Sequence, residues 1–138
     1  MNSLAVILPV LLASAFASPA FAQCVPAARV AQLRADAVRI LAGPDSTQRY
    51  IADLPRIAAS RIRVVTDSAT CHRAGGWYIR EQESPDSTIA ASDHFAVVQA
   101  DSLLFVEPDV SAGRRGCCWV VRVFDRAGQN RYNYGRGQ

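Results

Sequence analysis

The sequence predicts an α+β fold in which two helices pack on one face of a mainly antiparallel meander sheet of about four to five strands. Three observations lead to this prediction. Apolar residues recur every three or four positions in 26–44 and again in 68–83, which is the spacing of amphipathic helices. The last third of the chain is rich in β-branched and aromatic residues, interrupted by short turn sequences. Because antiparallel strands join through such turns, helices and sheet are expected to form two layers.

The first 22 residues have the composition of a cleaved secretory signal peptide. An apolar run over 4–16 is followed by small residues at 20 and 22, as expected before a cleavage site. The run is too short to span a bilayer comfortably, which argues against a membrane anchor. A lipoprotein attached through Cys24 is a third alternative, but the residues before this cysteine do not suit lipid attachment. We therefore expect residues 23–138 to form a single secreted or periplasmic domain with no membrane span.

The charge distribution argues against a nucleic-acid partner. The chain has 15 basic and 12 acidic residues, and every basic residue is arginine. The arginines are dispersed along the chain, and the densest points, 61–63 and 114–115, have apolar or acidic neighbours. A nucleic-acid-binding protein is expected to gather its basic residues on one face. The chain also lacks the glycine-rich motifs that bind nucleotides, and we expect no cofactor.

The first helix is predicted over 26–44, with Pro26 at its first position and Gly43-Pro44 at its end. Its apolar stripe comprises Val30, Leu33, Ala37, Ile40 and Leu41. Pro55 breaks the helical pattern that follows, so residues 45–60 are predicted to be a mostly irregular crossover. A short β-branched strand is predicted over 61–67.

The second helix is predicted over 68–83, with Thr66 or Asp67 as its N-cap. Gly75-Gly76 within this helix indicates close packing against the sheet or the first helix. Residues 84–88 have the composition of a turn.

Four strands are predicted in the rest of the chain, over 94–100, 103–108, 117–125 and 130–134. Asp101-Ser102 is predicted to join the first two in a tight hairpin, and residues 108–116 are predicted to be a loop. In the third strand, one face holds Cys117, Trp119, Val121 and Val123 without a polar interruption. We expect this face to lie beneath the helices.

The chain has four cysteines, and an even number in an exported protein points to disulfides. A bond between Cys24, before the first helix, and Cys71, in the first turn of the second, would join the helices at one end. Cys117 and Cys118 would then form a strained vicinal disulfide or stay reduced. Alternatively, both could bond to Cys24 and Cys71. That arrangement is awkward, because neighbours on a strand point to opposite faces.

The segment RVVTDSATCHRA (63–74) resembles the pattern V-V-T-D-x-x-T-C-x-x-A of a group of small uncharacterised secreted bacterial proteins. The resemblance extends over most of the chain after residue 22, including the upstream cysteine and the downstream hairpin that ends in VVRVFD. In that group the cysteines that correspond to Cys24 and Cys71 recur, whereas an adjacent pair does not. The resemblance therefore supports the Cys24–Cys71 pairing. The group has no established activity, so it implies none for this chain.

Two histidines, His72 and His94, are the remaining candidates for chemistry. A zinc site shared with Cys117 or Cys118 and a hydrolytic site built from Asp93, His94 and a serine are the weaker alternatives. No G-x-S-x-G sequence is present to support a hydrolase.

Trp77, Tyr132 and Tyr134 are candidates for partner binding. Trp77 and Tyr78 are neighbours on a helix and cannot both face inward, so one ring is free to anchor a partner. Tyr132 and Tyr134 lie in the last strand, which binds a partner strand if it forms the edge of the sheet. The sequence therefore predicts a non-enzymatic domain that binds a protein or cell-envelope partner.

The alternative function uses the adjacent cysteines. Arg114 and Arg115 lie just upstream of Cys117-Cys118 and would favour their thiolate forms. A strained vicinal disulfide is also easily reduced. This pattern predicts a redox- or metal-responsive protein.

Overall fold

The fold is described from a computed structural model over residues 23–43, 54–81, 94–109 and 119–136. Two helices, six strands and one 3₁₀ turn (Ala59–Arg61) occur in these ranges. In chain order, the elements are β1 (Gln23–Cys24), α1 (Ala27–Leu41), β2 (Ile62–Val64), α2 (Ser68–Arg80), β3 (His94–Ala100), β4 (Leu103–Pro108), β5 (Trp119–Phe124) and β6 (Asn130–Arg136).

The six strands form one mixed, mostly antiparallel sheet. β3 pairs with β4, and β5 and β6 follow in order, all antiparallel. On the other side of β3, β1 pairs in parallel with its first residues and β2 pairs antiparallel with its last residues. Among the described residues, β6 therefore ends the sheet. β1 was not predicted from the sequence, and the described residues contain six strands instead of the expected four to five.

The two helices pack on opposite faces of the sheet. Side chains alternate along β3: Ala96 and Val98 belong to the core cluster beneath α1, whereas Phe95 and Val97 belong to the cluster beneath α2. The predicted α+β class is confirmed, but the prediction that both helices cover one face is wrong. The physical reason is that β3 and β4 are apolar at consecutive positions. Both of their faces must therefore be covered.

β5 shows the same two-sided burial. Val121 and Val123 are buried on the α1 side, on the face that was predicted to lie beneath the helices. The opposite face is not simply exposed, because Phe124 is fully buried beneath α2. The adjacent cysteines at 117 and 118 lie outside the described residues.

Local contacts explain the bounds of the helices. The Asp67 carboxylate accepts a hydrogen bond from the Thr70 backbone N–H at 2.9 Å, which confirms Asp67 as the N-cap of α2. Pro26 lies at the N-cap of α1 rather than at its first helical position, and its carbonyl accepts from the Arg29 N–H. α2 ends at Arg80, three residues before the predicted end.

Gly75 explains how closely α2 approaches the sheet. A Cβ atom at this position would lie 3.1 Å from the Phe95 ring, whereas one at Gly76 would meet nothing within 4 Å. The expected close packing is therefore present at Gly75, and it is against the sheet.

Cys24 and Cys71 form a disulfide, with their Cα atoms 5.3 Å apart. This separation is within the usual range for the bond. Because α1 and α2 lie on opposite faces, the bond does not join the helices at one end as expected. It joins the first turn of α2 to the edge strand β1. None of the helices in the described parts of the chain is long and apolar enough to cross a membrane.

Candidate functional site

The candidate site is the β5–β6 hairpin, and its turn sets the position of β6. Residues 125–129 connect the strands, the Asp125 N–H donates to the Gln129 carbonyl across the turn 126–128, and Gly128 has a left-handed φ of 81°. The Asp125 carboxylate accepts hydrogen bonds from the backbone N–H groups of Ala127 and Gln129, at 2.9 and 3.0 Å. An aspartate before a three-residue loop that ends in a left-handed glycine is a common hairpin sequence. The sequence therefore fixes this turn locally.

Trp77 of α2 packs against the tip of the hairpin. The Trp77 ring packs on Phe124 with ring centroids 5.7 Å apart. Gly128 lies so close to the indole that it leaves no room for a Cβ atom. Arg80 donates a hydrogen bond to the Gly128 carbonyl at 3.1 Å. The hairpin is therefore held against a helix and not only by its own ladder.

Tyr78 holds the other end of β5. Its hydroxyl donates to the Val120 carbonyl at 2.6 Å, and its ring is almost fully buried. The β4–β5 ladder runs from Leu104↔Phe124 to Val106↔Arg122. Continued in register, Val120 would stand opposite Pro108, which has no N–H to offer. Tyr78 supplies the donor that the proline cannot.

β6 has two different faces. Tyr132 and Tyr134 are half-buried and pack against the core cluster beneath α1. Asn133, which pairs with Arg122 of β5, points to the opposite face and is exposed, and Arg131 is exposed at a register irregularity of the ladder, between the partners of Val123 and Phe124. Asn133 accepts a hydrogen bond from Arg122 of β5 at 3.3 Å. An aromatic side and a basic, polar side thus meet at the outer strand.

An apolar groove lies on the α1 face next to β6. It encloses about 380 Å³, including space that is open to solvent, and Tyr134 lines it together with Glu107. Glu107 accepts a hydrogen bond from the Trp119 indole at 2.8 Å. The apolar lining includes Leu33, Ala37 and Ile40 of α1 and Val98, Phe105 and Val121 of the sheet. The aromatic side of β6 is therefore continuous with apolar surface.

The sequence-predicted aromatic residues are not all brought together. Tyr132 and Tyr134 lie on the α1 face of the sheet edge, whereas Trp77 lies on the α2 face. Arg73 also stands over the Trp77 ring, 5.5 Å from its centroid. Trp77 thus holds the hairpin, and the two tyrosines flank the edge itself.

The histidines lie at separate elements. The His94 Nδ1–H donates to the Cys24 carbonyl at 2.8 Å, across the β1–β3 pairing. His72 is exposed, directly after Cys71 in α2. The described ranges contain no group of three histidine, cysteine or acidic side chains that could hold a metal ion. Asp93, Cys117 and Cys118, which the zinc, hydrolytic and redox hypotheses use, lie outside the described residues.

Two further features of the structure were not predicted from the sequence. The first is a partly buried ion pair, in which Arg29 of α1 contacts Asp109 at 3.1 Å while the Asp109 side chain is only 3% exposed. The two residues are 80 positions apart in the sequence, and no local pattern predicts their contact. The second is the basic face of the hairpin. Its signal is present in the sequence, because residues 131–134 alternate between polar and aromatic side chains with a period of two.

Comparison of the chain with protein-family models, with curated proteins and with solved structures found no match. The candidate site therefore stands on its geometry alone.

Proposed function

We propose that this chain is a non-enzymatic binding domain, secreted or periplasmic, that takes an extended segment of a protein or envelope partner as an added strand along β6. The observation that carries the proposal is the position of β6. It is seven residues long, it ends the sheet, and no other strand of the described residues pairs with its outer side. An edge of this kind offers alternate backbone N–H and C=O groups to a partner strand.

The rigidity of the hairpin supports this proposal. Trp77, Arg80 and Tyr78 attach both ends of β5 to α2, and β5 pairs with β6 along its whole length. A strand held in place before binding loses little conformational entropy when a partner adds to it. The half-buried Tyr132 and Tyr134 would supply contact area beside the backbone hydrogen bonds.

The Cys24–Cys71 disulfide supports the proposed location. Disulfides persist in oxidising compartments and are rare in reducing ones. The signal-peptide pattern of residues 1–22 agrees with the same assignment. Partners would then be proteins of the cell envelope or of the exterior.

The proposal is tested with peptides whose backbone is altered on one edge only. Peptides that bind the oxidised protein are first selected from a random library. Each is then synthesised with N-methyl groups on alternate amides, in two versions that block opposite edges. We expect one version to lose binding and the other to keep it. In ¹⁵N spectra the unmethylated peptide should shift the β6 amides.

Two results would contradict the proposal. One is a set of selected peptides that tolerates methylation on either edge, because their backbone then forms no ladder. The other is a set whose binding shifts amides of α1 or α2 and leaves β6 unchanged.

A further inference from the structure

The β5–β6 hairpin carries the excess positive charge of the chain. Residues 119–136 have a formal net charge of +3, equal to that of the whole chain, so the remainder is neutral overall. The charged residues of the hairpin are Arg122, Arg126, Arg131 and Arg136, with Asp125 as the single acid. The arginines are dispersed along the sequence, but their excess over acidic residues lies at one edge of the sheet.

The hairpin does not neutralise this charge internally. Asp125 faces the turn, where its carboxylate accepts the Ala127 and Gln129 N–H groups. Arg126 and Arg131 are exposed and form no ion pair within the described parts of the chain. Their charge is available to a partner.

Arg122 extends the basic face from β6 to β5. Its guanidinium stands over the Tyr78 ring, 5.3 Å from the centroid, and donates to Asn133. Its Nε is buried and has no hydrogen-bond partner among the residues described. A carboxylate that approached β6 from the α2 face would meet Arg122 one strand further, and the exposed Arg131 lies on β6 itself.

We infer that the partner segment alternates acidic and apolar residues. The inference rests on the proposed function, because it assumes that the segment adds to β6. Successive side chains of an added strand point to opposite faces of the sheet. Those on the α2 face would lie beside Asn133 and, one strand further, Arg122, and the exposed Arg131 of β6 adds a second positive charge to this edge, which favours carboxylates. Those on the α1 face would lie beside Tyr132 and Tyr134, which favours apolar side chains.

The same charges disfavour a second copy of this chain as the occupant. Edge-to-edge pairing of two β6 strands would bring two hairpins of +3 together. Like charges across such an interface oppose association, most strongly at low salt. An acidic segment is instead attracted to the basic edge, and high salt weakens this attraction.

The experiment compares three synthetic peptides of equal length on the intact, oxidised protein. One alternates Glu and Val, one has the same composition with the Glu residues grouped, and one alternates Lys and Val. Binding to β6 is followed by ¹⁵N amide shifts, and dissociation constants are measured at low and at high salt. We expect the Glu/Val peptide to bind about fivefold or more tightly than the other two at low salt. High salt should reduce this difference.

Charge reversal on the protein provides the matched test. Arg131→Glu should weaken binding of the Glu/Val peptide about fivefold and favour the Lys/Val peptide. Arg56→Glu changes the net charge equally but lies exposed on the segment before β2, at the other side of the sheet. It should leave both affinities almost unchanged. Arg126→Glu, at the exposed turn, serves as the second hairpin variant.

The outcomes separate the two proposals. Equal β6 shifts with the Glu/Val and Lys/Val peptides would overturn the acidic preference and leave the sheet-edge function standing. Equal binding of the alternating and grouped peptides would overturn the alternation. A protein dimer that Arg131→Glu dissolves would show that a second copy is the occupant and would overturn this inference. If neither these peptides nor library-selected binders shift β6, the sheet-edge function itself fails.

Discussion

At the scale of single residues, Gly128 is the position where backbone conformation and packing act together. Its φ of 81° lies in the left-handed region, where a Cβ atom costs about 1–2 kcal/mol. A Cβ atom would also lie 2.5 Å from Cε2 of Trp77. The glycine therefore allows both the hairpin turn and the contact of its tip with α2.

Replacing Gly128 with alanine should destabilise the protein by about 2–4 kcal/mol, since the backbone strain adds to the overlap with the indole. Gly135→Ala is the matched control, because a Cβ atom there meets nothing within 4 Å and φ is not left-handed. Its cost should be about 0.5 kcal/mol or less. Urea denaturation of the two variants measures the difference. Equal midpoints would show that Trp77 does not hold the turn.

Asp67 is the residue whose charge links stability to pH. The Thr70 side chain and then the Thr70 backbone N–H hydrogen-bond this carboxylate and lower its pKa below the ordinary 3.8. A depressed pKa in the folded state contributes stability above the unfolded pKa, and this stability is lost as pH falls through the folded pKa.

Asp67→Asn keeps an N-cap acceptor but cannot titrate. We expect the melting temperature of the wild type to fall more than that of the variant when the pH is lowered from 7 to below the folded pKa. Melting curves of both proteins across this range provide the measurement. Parallel curves would mean that the Asp67 charge makes no contribution to stability.

At the scale of elements, the disulfide decides how α2 is attached. It ties the first turn of α2 to β1, a strand of only two residues that pairs with β3. The Cβ-free surface of Gly75 then lets the helix approach Phe95 closely. One covalent bond and one glycine thus position the helix that holds the β5–β6 hairpin.

Replacing Cys24 and Cys71 together with serine should lower the free energy of unfolding by up to about 4 kcal/mol, because the unfolded chain gains the freedom of a long open loop. The wild-type protein under reducing conditions should match the oxidised double variant. Denaturation of these three samples checks the prediction. If the double variant is as stable as the oxidised wild type, the bond does not restrain the unfolded chain.

At the scale of the whole molecule, the sequence was sufficient for the elements but not for their arrangement. The apolar stripe at Leu33, Ala37 and Ile40 shows which side of α1 is buried, and that side is the one that packs. Periodicity in a helix does not show which face of a sheet it covers. The strands show it instead. Phe95 to Val98 of β3 are all apolar, so both faces of the sheet must be covered by a helix.

The candidate site was predictable to a similar degree. The aromatic edge at Tyr132 and Tyr134 was expected from the position of the last strand, and the structure places both tyrosines on that edge strand, half-buried. The basic face is not apparent from the overall distribution of the arginines, and it emerges only when the charges are summed over the β5–β6 hairpin. A two-residue strand such as β1 is too short for any pattern, and only its pairing with β3 reveals it.

The order of the strands predicts the order of amide hydrogen exchange. β3 has strands on both sides, and Phe95, Ala96 and Val97 are each at most 2% exposed. We therefore expect the slowest exchange in β3 and in the part of β4 that pairs with it. The alternate amides of β6 that point away from β5 should exchange much faster than those of β3, because they lack a ladder partner in the described sheet. Bound Glu/Val peptide should slow these amides and leave those of β3 unchanged. Outer β6 amides as slow as those of β3 in the free protein would mean that the edge is already covered, and strand addition would then need a displacement step before binding.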